Sequence, residues 1–97
     1  MIPGLTQDQQ NQIKEMIHRY FPDAEILVFG SRLNGTHKPA SDLDLCIRSH
    51  SLLPVAEWSK LSAELSDSDL PFKVDLLDWH RIAEDFQRII SENFTFL

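Results

Sequence analysis

Asp42, Asp44 and Asp75, together with the Gly30-Ser31 step, are the residues of this chain whose types and spacing can do chemistry. Asp42 and Asp44 stand two apart in Asp42-Leu-Asp-Leu-Cys-Ile47, which alternates polar or small residues with large apolar ones in the period of a strand. That spacing puts both carboxylates on one face. Two such groups repel one another and lose hydration, a cost tolerated when a cation sits between them. Oxygen-only ligands of this kind favour Mg²⁺, with a substrate's phosphates completing an octahedral shell. Asp75 lies inside Phe72-Lys-Val-Asp-Leu-Leu77, an apolar run in which an unpartnered carboxylate is expensive. If that run pairs beside the Asp42 strand, three acids converge. Taken singly, Asp42 reads as a solvated turn or helix cap; Asp44 and Asp75, embedded in apolar runs, do not. Gly30-Ser31 offers backbone N–H groups, a hydroxyl and a positive helix end to an anion, and a backbone without Cβ lets a phosphate come close. A Gly-Ser step after a strand is more often only a turn, so its weight here comes from the ten-residue spacer to the acidic pair.

The elements that must position these groups follow from periodicity. Thr6 with Gln9 has the capping-box pattern, and Ile13, Met16, Ile17, Tyr20 and Phe21 fall at the spacing of one buried stripe, predicting a helix over 6–21 that Pro22 and Asp23 stop. Glu25-Ile-Leu-Val-Phe29 suits a short strand buried on both faces, ended by Gly30. Residues 31–40, polar and containing Gly35 and Pro39, read as a loop with one helical turn. After the 42–47 strand and a turn over 48–54, Val55, Trp58, Leu61 and Leu65 mark a second amphipathic helix ending in Ser66-Asp-Ser-Asp69. Residues 72–77 form the third strand, and Ile82, Phe86, Ile89, Ile90 and Phe94 describe a final helix starting near Asp78 or Trp79. Strands alternating with helices imply an α/β layer structure: a small mixed central sheet of about three strands flanked by helices.

Composition limits the alternatives. A chain of 97 residues with 42% apolar content reads as one domain over 1–97. Met1 to Leu5 lack a basic start followed by an apolar run, and no apolar stretch approaches the ~18 residues that span a bilayer, so the expected location is cytoplasmic. Cys46 is the single cysteine, which excludes an intrachain disulfide and suits a small buried apolar residue. The formal charge of −6 argues against nucleic acid as the primary partner and favours a basic protein surface. His18, His37, His50 and His80 have no ligand spacing to one another, and Trp58 and Trp79 suit core packing. Gly30-Ser31-Arg32 lacks both the Lys-Ser/Thr ending of a P-loop and the Gly-x-Ser-x-Gly frame of a hydrolase elbow.

Gly30-Ser31, ten intervening residues, Asp42-x-Asp44 followed by Leu45, and a later strand Asp75 resemble the signature of the DNA polymerase β-like nucleotidyltransferases. The resemblance is to the smallest members, the minimal nucleotidyltransferases, and covers nearly the whole chain; Arg32, Gly35 and Ser41 are also similar to that group. It implies that Gly30 and Ser31 hold the triphosphate of ATP and that Asp42 and Asp44 bridge two Mg²⁺ ions about 4 Å apart. Asp75 would then bind the catalytic metal and help deprotonate an acceptor hydroxyl. Phosphoryl transfer is largely positioning and charge neutralisation, for which this set suffices. Arg32 suits the charge developing on leaving pyrophosphate, or is a solvent-exposed arginine. A haloacid dehalogenase-type phosphatase also uses an Asp-x-Asp strand, but Ser41 before the pair and Leu45-Cys46 after it depart from that pattern.

Larger members carry a helical domain that holds the acceptor, and no such segment is read here, so the acceptor is expected to be bound by a partner or to be one. The resemblance implies a helical HEPN-domain toxin partner, neutralised by binding, by transfer of AMP to a tyrosine, or both. The competing expectations are a neutralising module without catalysis and a transferase for a small hydroxylated molecule such as an aminoglycoside.

Overall fold

The computed structural model of the chain describes residues 2, 4–30, 33 and 42–97. Helix α1 spans Gln7–Tyr20 and begins where the sequence pattern puts it. The Thr6 hydroxyl accepts from Gln9 N at 3.1 Å while the Gln9 side chain accepts from Thr6 N at 2.9 Å. These two bonds satisfy end N–H groups that have no partner inside the helix, worth about 1 kcal/mol. Ile13, Met16 and Ile17 form its buried face.

Strands β1 (Glu25–Phe29), β2 (Leu43–Arg48), β3 (Val74–Asp78) and β4 (Thr95–Phe96) form one mixed sheet in the order β3-β2-β1-β4. β1 is antiparallel to β2 and β4, and β2 is parallel to β3. The parallel pair needs a crossover, which helix α2 (Val55–Asp67) supplies. The period of two in each strand divides the apolar residues between two faces. Ile26, Val28, Leu43, Leu45 and Ile47 pack with the buried faces of α1 and α2, through Ile13, Ile17, Leu61 and Leu65. Leu27, Cys46 and Ile90 form a second cluster on the opposite face, flanked by Phe29, Leu77, Trp79, Ile82 and Phe94. β1 is thus buried on both sides, as its unbroken apolar run requires. Arg19 donates to both oxygens of Glu64, at 3.0 and 2.8 Å, and the Tyr20 hydroxyl donates to the same carboxylate at 2.6 Å, tying α1 to α2.

The C-terminal region departs from the expected single helix. Asp78 ends β3 with only 3% of its surface exposed. Its carboxylate accepts from Leu53 N at 2.9 Å, His80 N at 3.1 Å and Arg81 Nε at 3.1 Å. Those bonds lock a 3₁₀ turn over Trp79–Arg81 and send Ile82 and Ala83 into extended backbone, so the last helix, α3, covers only Glu84–Glu92. Ile82 and Phe94 lie outside the helix yet still reach the second cluster. β4 is a fourth strand beyond the three read from the sequence, two residues long and held by its pairing with Leu27 and Val28.

Candidate functional site

The register of the sheet brings two of the three acids together. Asp44 in β2 is the neighbour of Asp75 in parallel β3 and of Phe29 in antiparallel β1. Residues directly opposite on adjacent strands share a face, so both carboxylates stand on the face that also carries Cys46 and α3. Asp42 precedes β2 by one residue and is exposed. Burial first, then the charges of Asp75 and Asp42, push the Asp44 carboxyl above its ordinary value. The three acids therefore share one field, with Asp44 at its most desolvated point.

Gly30 closes the corner. Its φ of +85° lies in the left-handed region that favours glycine. A Cβ added there would collide with Asp44 Oδ2 and sit 3.1 Å from Asp44 Cγ. The carboxylate therefore rests directly against the Gly30 backbone, and Leu33 N donates back to Gly30 O at 3.2 Å to begin a turn. Ser31, Arg32, Ser41 and the remainder of the expected 31–40 loop apart from Leu33 lie outside the described residues.

Sequence reading passed over Lys73, whose Nζ lies 3.4 Å from Asp75 Oδ1. The signal was available: Lys73 and Asp75 are two apart in a strand-like run and so project to the same side. Among the described residues, no group of three or more His, Cys, Asp or Glu side chains forms a metal-binding cluster. The donor chemistry nevertheless fits a hard divalent cation, since Asp44 and Asp75 are oxygen donors on one face and a positive ion would offset the burial and the neighbouring charges that raise Asp44. A cavity of about 370 Å³ lies toward the Asp78 end of β3, lined by Val55, Trp58, Leu76, Leu77, Asp78, Arg81 and Ile82, and takes no part in this corner. The Cys46 thiol, fully buried, is pushed up to about 11 by that burial and is no nucleophile at neutral pH. No helix among the described residues is long and apolar enough to cross a membrane.

A mixed sheet that sets neighbouring strand carboxylates against a left-handed glycine at a strand end has the architecture of a nucleotidyltransferase. Residues 11–96 match the family described as polymerase beta, nucleotidyltransferase, and the chain belongs to that family. Over 80 residues it is 42% identical to the Haemophilus influenzae protein named probable protein adenylyltransferase MntA, covering 82% of this chain and 70% of that one. Among solved structures, a toxin-antitoxin with AMP-PNP superposes with a TM-score of 0.75 at 24% identity, over 90% of this chain and 70% of the other. A mutant MntA-HpeT toxin-antitoxin gives 0.69 at 21% identity, over 91% and 69%. At those identities the two structures speak to the fold, and they share the α/β architecture described above.

If the Asp44 corner is the site of transfer, Gly30→Ala is expected to lower nucleotidyl transfer by about 10²-fold or more, because shifting a positioning group by an ångström has that effect. It should also destabilise the fold by about 1–2 kcal/mol from the left-handed backbone alone. Steady-state rates and urea unfolding of the same preparation check both.

Proposed function

We propose that this protein is a Mg²⁺-dependent adenylyltransferase that moves AMP from ATP to a tyrosine hydroxyl of a helical HEPN-domain toxin and thereby acts as its antitoxin. The observation that carries this reading is the Asp44–Asp75 pair, opposite one another on adjacent parallel strands with the Asp44 carboxylate against Gly30. The 42% identical relative, named a protein adenylyltransferase, supports the choice of AMP and of a protein acceptor. The toxin-antitoxin neighbours support the partner class, and the formal charge of −6 suits a basic surface on that partner.

In this reading Asp42, Asp44 and Asp75 hold the metal. Mg²⁺, when bound, neutralises charge on the phosphates and on the acceptor oxygen. Gly30 seats the Asp44 carboxylate against the backbone that leads into Ser31 and Arg32, and the three are assigned to the triphosphate by their place in the sequence. Asp75 receives the proton of the acceptor hydroxyl as that oxygen bonds to the α-phosphorus; the α–β phosphoanhydride bond breaks and pyrophosphate leaves. Lys73 supplies a positive charge beside Asp75.

Incubation with ATP, Mg²⁺ and the co-purifying partner, followed by mass spectrometry, should show one adenosine monophosphate added to a partner tyrosine. A partner that is neutralised yet never modified would favour the alternative, a non-catalytic neutralising module. Before any partner is added, ATP with Mg²⁺ should raise the melting temperature by several degrees, since a ligand that binds the native state stabilises it by mass action. ATP with a chelator should do so much less, and equal shifts would remove the metal from this account.

A further inference from the structure

We propose that Phe86 on α3 is the platform on which the nucleobase stacks. The inference rests on the reading of the Gly30 and Asp44 corner as the phosphate and metal site. α3 lies on the same face of the sheet as Asp44 and Asp75, anchored by Ile90 against Leu27 and Cys46. Phe86 is one helical turn before Ile90 on the same side of the helix. Its ring meets that of Phe29 edge to face, with centroids 5.9 Å apart and planes at 85°. Phe29 is the residue before Gly30 and the strand partner of Asp44. The helix is therefore placed so that its aromatic residue packs on Phe29, at the end of β1 that leads into Gly30 and pairs with Asp44.

Phe86 remains 40% exposed and Ile89, three residues on, 64% exposed. A large aromatic ring held by one neighbour and open on another side, beside a phosphate cradle, matches the geometry of a stacking surface. Charge decides which end of a nucleotide it meets. Glu84 and Asp85 fill the first turn of α3, and Arg88 on the same helix pairs with Asp85 at 3.8 Å. Those carboxylates repel a triphosphate and leave the uncharged base as the part suited to this helix, while the phosphates take the Gly30 side. Stacking accepts any base, so Phe86 contributes affinity and orientation rather than a choice among nucleotides.

Titration calorimetry with Mg²⁺ compares ATP with inorganic tripolyphosphate, which has the phosphates and no base. Phe86→Ala should weaken ATP by about 5- to 100-fold and leave tripolyphosphate unchanged. Phe86→Trp should keep ATP affinity, and Phe86→Leu, which preserves apolar packing on Phe29 without a π-face, should behave like Phe86→Ala. Equal weakening of both ligands, or of neither, overturns the proposal. So does normal ATP binding by Phe86→Ala with loss of the protein partner, which would assign the ring to docking. Wild type that binds tripolyphosphate and ATP equally well removes the base platform alone, whereas wild type that binds neither removes the underlying reading of the corner as well.

Discussion

Replacing Asp42 and Asp44 together by Asn is expected to reduce transfer by about 10³-fold or more while leaving a folded protein that still binds its partner. Size and strand fit are kept, and two negative charges are lost from one corner. The metal-free double variant should be no less stable than wild type and slightly more stable above the acid range. Burial and the charges of Asp75 and Asp42 raise Asp44, so the folded carboxyl keeps its proton to a higher pH than the unfolded one. Stability attached to that group is full below the unfolded value and is lost as pH rises through the folded value. The variant lacks that loss. Melting temperatures across the acid range in chelator, set beside transfer rates at neutral pH, test both halves. A double variant that modifies its partner at the wild-type rate would end the catalytic account.

Asp78→Ala should be the most destabilising substitution on the far side of β3, by about 3–5 kcal/mol. Removing the carboxylate leaves Leu53 N and His80 N without their acceptor and strips Arg81 of its counter-ion. The Arg81 side chain is itself 46% exposed and can turn to water, which draws the effect toward the lower end. For a chain whose total stability is about 5–15 kcal/mol, that is a large share. Urea unfolding should show a lower midpoint with an unchanged slope. Protein that remains folded should keep its nucleotide site, because Asp78 faces the 3₁₀ turn and the segment entering α2. A midpoint within experimental error of wild type would show that the bonds around Asp78 contribute nothing net.

What could be read from the sequence was what local physics decides. The Thr6–Gln9 box begins α1 because both halves of it lie within four residues, and the apolar 26–29 run suits a strand covered on both faces. The acids were visible as types and spacings, but their meeting depended on β3 pairing with β2, and no residue states which strand neighbours which. The end of the chain resisted for the same reason. Ile82 fits the helical period, yet the buried carboxylate of Asp78, bonded to Leu53 from 25 residues earlier, directs the backbone out of the helix. β4 has two residues, too few for any period, and exists because β1 offers it an edge. Phe86 reads as one more member of an apolar stripe; that α3 is set far enough along β1 to bring it over Phe29 is a property of the packed sheet.

The pairing of β2 with β3 also acts as a proofreader. Because the side-chain period of a strand is two, a slip of one residue would turn Asp75 into the layer between the sheet and α2 and push Leu76 and Val74 out to the opposite face. Val74 and Leu76 pack against the cluster that α1 and α2 cover, so the misregistered sheet would bury a charge and expose two apolar side chains in one step. The spacing of the two acids is thus inherited from the interstrand distance of about 4.8 Å rather than from side-chain torsions. A molecule that has filled its core correctly has, by that fact alone, aligned the pair.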